Sequence, residues 1–125
     1  MNDVLLNKIA IIENCIKRIK EVYLPTDFKE DLTKQDSVIL NLERLTQASI
    51  DAGSVIVKEN NLGIPQSNRE VFQKLEEKNF IDASLSISLQ KMVGFRNIAV
   101  HDYQKLNIEI IEAIVSNHLG DIELL

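Results

Sequence analysis

At 125 residues the chain has room for one compact domain with a real hydrophobic core, and not for two. Apolar residues make up 45%, charged residues 26%, and Gly and Pro number only four and two, which excludes a disordered or collagen-like chain. A net charge of −5 excludes a general nucleic-acid coat protein, since neutralising phosphates needs clustered Lys and Arg, but leaves room for a nuclease with one local basic cleft.

Leu5, Ile9, Ile12, Ile16, Ile19 and Tyr23 step by three and four residues and draw one apolar stripe along a first helix, which Pro25 closes. Cys15 lies among Ile11, Ile12, Ile16 and Ile19 and reads as a packing residue. Val38, Leu42, Leu45, Ser49, Ala52 and Ile56 repeat the rhythm on a second helix. Thr33 with Asp36 is placed to cap its start, and Asn60-Asn61-Leu62-Gly63 followed by Pro65 ends it. Small residues Ala48, Ser49, Ala52 and Gly53 let a neighbouring helix approach it closely.

Ser67-Asn68-Arg69-Glu70 has the capping-box form and opens a short helix carrying Val71, Phe72 and Leu75. Asp82 caps the next, with Leu85, Leu89, Met92 and Val93 inward. Asn107 caps the last, burying Ile108, Ile111, Ile114 or Val115, and Leu119. No segment keeps the two-residue alternation of a half-buried strand. The expected fold is therefore all-α, an up-and-down bundle of four to five helices in a single domain spanning 1–125. A lone cysteine, no signal-peptide pattern and no apolar run of roughly 20 residues point to the reduced cytoplasm and away from a membrane.

Chemistry has few places to sit. His118 stands near the end of the last helix, where a cation suits the helix dipole. It has no Cys or second His at ligand spacing, and no metal site is expected. His101 keeps different company: Arg96, Asn97, Asp102 and Tyr103 fall within the same eight residues. The stretch from Lys91 to Lys105 sets Lys91, Arg96 and Lys105 against Asp102 alone, reversing the sign of the whole chain. A guanidinium holds a phosphate by two parallel hydrogen bonds, and an imidazole moves protons near neutral pH. Together they suit metal-free RNA cleavage, in which a 2′-hydroxyl attacks the neighbouring phosphorus. A plain cap and turn at a helix end gives the same polar cluster, so spacing alone leaves both readings open.

A helix turns about 100° per residue, which sets Arg96 and His101 roughly 140° apart on an ideal cylinder. Their convergence requires the helix to end or distort between them, or a second subunit to supply one partner. Asn41 and Arg44 on the second helix fit a cleft lining and a solvated face equally well.

Arg96-x4-His101-x-Tyr103 resembles the signature of HepT toxins, ribonucleases of the HEPN superfamily. The resemblance extends to residues 36–42 (Asp36-Ser37-Val38-Ile39-Leu40-Asn41-Leu42), to residues 62–67 in the turn, and to the unbroken run from Lys91 to Tyr103. It implies a homodimer of helical bundles with the motif of each subunit lining a shared cleft, and an endoribonuclease toxin with transfer RNA as substrate. It implies an MntA nucleotidyltransferase antitoxin as partner, using ATP and magnesium to attach AMP to the motif tyrosine. The nuclease itself would need no cofactor, and neither membrane nor DNA is implied as a partner. Carried over, Arg96 and His101 are catalytic, Tyr103 is the modification target, and Asn97 and Asp102 support the site. The runner-up is a non-catalytic subunit that binds substrates or nucleotides for a nucleotidyltransferase.

Overall fold

A computed structural model describes residues 3–23, 30–101 and 108–115, with backbone alone at 100, 101 and 108–110. Within them lie five helices: α1 Asp3–Val22, α2 Leu32–Glu59, α3 Asn68–Glu77, α4 Ala83–His101 and α5 Ile108–Ala113. No strand occurs among the described residues. Pro25, Asn107, His118 and Leu119 lie outside them, so the roles expected of those residues are not described.

Helix ends follow from local chemistry. The Ser67 hydroxyl accepts from the Glu70 N–H at 3.2 Å and the Asp82 carboxylate accepts from the Leu85 N–H at 2.8 Å, capping α3 and α4 as expected. At α2 the expectation fails. Asp31 is the cap, accepting from the Lys34 N–H at 3.1 Å, and Thr33 lies exposed inside the first turn. A cap two residues earlier adds half a turn of helix.

Both α2 and α3 finish on an asparagine in the left-handed region. Asn61 has φ 54° and Asn79 has φ 62°. The Leu62 N–H reaches back to the Val57 carbonyl at 3.0 Å, and the Phe80 N–H to the Leu75 carbonyl at 2.9 Å, each closing a Schellman turn. Gly63, at φ 99°, follows the end of α2 rather than making it.

The helices α1 and α2 pack as antiparallel neighbours, and α3 lies against α4. Lys8 near the start of α1 pairs with Asp51 near the end of α2 at 3.2 Å, and Gln73 of α3 donates to Gln90 of α4 at 3.2 Å. One core joins all five elements: Ile12, Cys15, Ile16 and Ile19 from α1; Val38, Leu42 and Leu45 from α2; Val71, Phe72 and Leu75 from α3; Leu85, Leu89, Met92 and Val93 from α4; and Ile111 from α5. The expected stripes are thus the buried ones, except that Ile9 stays exposed and Leu5, Tyr23 and Ile56 are half-buried. At Gly53 a Cβ would stand 2.8 Å from a Val71 methyl, so α2 and α3 touch nearly backbone to side chain, the close approach its small residues imply.

Candidate functional site

The site residues hang on α4, so its seating comes first. The Ser86 hydroxyl is fully buried and donates to the Phe72 carbonyl at 3.5 Å, while Gln90 donates to Ser86 at 2.9 Å. With the Gln73–Gln90 bond, these contacts fix α4 against α3 in rotation as well as position. Leu85, Leu89, Met92, Val93, Phe95 and Ala99 face the core. Ile87, Lys91, Asn97 and Ile98 are exposed.

At 100° per residue the exposed positions form a single arc. Measured from Gly94, Ile87 lies about 20° away, Ile98 about 40°, Lys91 about 60° and Asn97 about 60° on the other side, with position 101 within about 20°. Arg96 falls on the opposite, core-facing side and is half-buried.

The helix runs unbroken from Ala83 to His101. This removes one of the two routes to convergence, a helix that ends or distorts between Arg96 and His101. Within one chain the two positions diverge by roughly 140°. The side chain of His101 is outside what is described, as are Asp102 and Tyr103 altogether. Asn97 is exposed one turn before position 101, on the same arc.

Two further features were not legible in the sequence. Arg69, read there only as part of a cap, lays its guanidinium over Gly94: a Cβ on that glycine would stand 2.6 Å from its Nη2. Asn41 is no solvated-face residue. It is 3% exposed, its Nδ2 donates to the Ser37 carbonyl at 2.8 Å, and its buried Oδ1 has no partner among the described residues. Arg44 is exposed. The signal that would have found Arg69 is the glycine itself, a residue without propensity for the middle of a helix.

A cavity of about 640 Å³ lies elsewhere, bounded by Leu5, Ile9, Ile12 and Ile16 of α1, by Ser49, Ala52, Gly53 and Ile56 of α2, and by Phe72, Leu75 and Leu89. Its walls are mostly apolar, with Glu13, Lys17, Lys20 and Glu21 of α1 also on the lining, and none of the described residues from Arg96 onward borders it. Among the described residues no three His, Cys, Asp or Glu side chains gather as a metal-ligand set, and no helix is long and apolar enough to cross a membrane.

Residues 12–125 match the family model described as Ribonuclease HepT-like. The chain is 54% identical over 124 residues to the mRNA nuclease HepT of Shewanella oneidensis, covering 98% of this chain and 93% of that one. It superposes with a TM-score of 0.93 on a tri-AMPylated Shewanella oneidensis HEPN toxin solved in complex with MNT antitoxin, 54% identical, covering 99% of this chain and 94% of the other. A toxin–antitoxin complex with AMP-PNP gives a TM-score of 0.93 at 52% identity, over 98% of this chain and 94% of that one.

Proposed function

The chain belongs to the HepT-like ribonuclease family, and from that premise we propose that it is the toxin of a toxin–antitoxin pair. In this reading it is an endoribonuclease cutting RNA with Arg96 and His101, silenced when a nucleotidyltransferase antitoxin attaches AMP to Tyr103. The likeness to a tri-AMPylated toxin at 54% identity over nearly the whole chain carries the reading, and Arg96, His101 and Tyr103 are all present.

The chemistry runs through the chain's own groups. A base removes the proton of the RNA 2′-hydroxyl, the oxygen attacks the adjacent phosphorus, and the bond to the 5′-oxygen breaks as that oxygen takes a proton. The products are a 2′,3′-cyclic phosphate and a 5′-hydroxyl. Arg96 balances charge building on the phosphoryl oxygens, and His101 moves protons. Each chain supplies only one histidine to this stretch, so a dimer brings two imidazoles to a shared cleft. The outward arc of α4, with Ile87, Gly94, Ile98 and position 101 in line and α4 continuous beneath them, supports that arrangement. Nothing in this sequence of steps calls for a bound metal, and cleavage is expected to persist in a chelator.

Silencing uses the same contacts. When the Tyr103 hydroxyl displaces pyrophosphate from ATP, with magnesium bound by the partner enzyme, an anionic phosphodiester is tethered beside Arg96 and His101 and occupies the place of the substrate phosphate.

The test uses purified, unmodified protein with transfer RNA, which the family resemblance implies, and with messenger RNA, which the Shewanella relative's name gives. Arg96→Ala and His101→Ala are each expected to reduce cleavage at least about 100-fold with the helical circular dichroism retained. Co-expression with the antitoxin should add AMP increments to the intact mass, absent in Tyr103→Phe. No cleavage of either RNA, with partner binding intact, would favour the non-catalytic recruiting subunit instead.

A further inference from the structure

We propose that Arg69 is a substrate-binding residue, whose guanidinium holds an RNA phosphate flanking the one that is cut. The inference rests on the ribonuclease reading above and adds a residue outside the Arg-x4-His-x-Tyr motif.

Four observations place it. Arg69 stands in the first turn of α3, is exposed, and reaches across to α4, where its Nη2 lies 2.6 Å from the position a Cβ would take on Gly94. Only glycine leaves the helix backbone open for a flat guanidinium to rest against it. Among the described residues no carboxylate pairs with Arg69, and its neighbour Glu70 is engaged by Lys74 at 3.5 Å. An exposed arginine with no carboxylate partner among the described residues, in a chain of net charge −5, is available as an anion contact.

Its place on α4 gives the contact a direction. Gly94 lies on the same arc as position 101, seven residues earlier, which is about 10 Å along the helix axis. Arg69 arrives from the α3 side, along which Ser86 and Gln90 are bonded and Asn97 is exposed. Lys91 is exposed on the other side of the arc. A strand that follows α4 with its scissile phosphate at position 101 would meet Arg69 one or two nucleotides away. Grooves for single-stranded nucleic acid track the backbone with such spaced cations.

The glycine makes the proposal separable from fold stability. Gly94→Ala replaces a poor helix former by the best one while its methyl displaces the mobile end of Arg69. With a defined RNA oligonucleotide that the unmodified protein cuts, Arg69→Ala is expected to raise KM roughly tenfold or more with kcat within about twofold of wild type. Arg69→Lys should recover part of the loss. Gly94→Ala should raise KM in the same direction with a thermal midpoint no lower than wild type. The salt slope of RNA binding, measured on the His101→Ala protein, should fall by about one phosphate contact when Arg69→Ala is added.

Unchanged KM and salt slope in Arg69→Ala, in a protein that still cuts RNA, overturns the proposal and leaves the nuclease reading standing. A drop in kcat at constant KM overturns it too, pointing to a structural effect on α4. A wild-type protein that neither binds nor cuts RNA removes the ribonuclease reading and the proposal with it.

Discussion

Cys15 sits 5% exposed beside Ile12, Ile16 and Ile19, and its burial raises the thiol pKa against weaker lowering by Arg44 and Arg18. The folded chain therefore holds the thiol proton more tightly than the unfolded chain does. The sign follows: this contribution to stability is complete below the unfolded thiol's pKa and is lost as pH rises through the higher folded value. Cys15→Ala should flatten the alkaline limb of a stability-against-pH curve measured by urea unfolding, and native Cys15 should resist alkylation until the protein unfolds. Asn41 poses the opposite problem. Its buried Oδ1 has no donor among the described residues, and a buried acceptor left wholly without a partner would cost about 1–3 kcal/mol. The sequence showed an asparagine of ambiguous face at position 41; only packing shows it is inside.

Element boundaries come mostly from neighbours in sequence, and were legible to that extent. Ser67 and Asp82 cap α3 and α4 because a short oxygen-bearing side chain meets an N–H three residues on. At α2 the same local chemistry acts from Asp31, whose carboxylate accepts from the Lys34 N–H, rather than from the expected Thr33. Two helical glycines separate local from tertiary effects. Gly53→Ala drives a methyl to 2.8 Å from a Val71 side chain packed at 3% exposure, so overpacking should outweigh the gain in helix propensity and destabilise by about 1–2 kcal/mol. Gly94→Ala meets only the far end of Arg69 and should not destabilise. Urea midpoints of the two variants, measured side by side, check the contrast; equal stability would mean that Val71 yields freely.

For the whole molecule, an unbroken α4 leaves Arg96 and position 101 on different faces of one chain, which makes the two-chain cleft the arrangement to test. Light scattering should give about twice the 14.2 kDa chain mass, and a concentration-independent monomer would sink the shared-cleft proposal. The half-exposed Lys8–Asp51 pair, by contrast, contributes little to holding the bundle, as partly solvated ion pairs do. The sequence by itself determined the helical character of the chain, most of the buried faces of the described helices, and the caps of α3 and α4. Each of these depends on residues within a few positions of one another, where periodicity and side-chain type suffice. The tertiary structure decided the rest. It showed that α4 runs unbroken from Arg96 to position 101, that Asn41 is buried, that no described motif residue lines the cavity beside α1 and α2, and that Arg69 rests on Gly94, 25 residues further along. Such contacts depend on how far apart helix axes lie and how each helix is rotated, and a linear pattern of residues carries neither quantity.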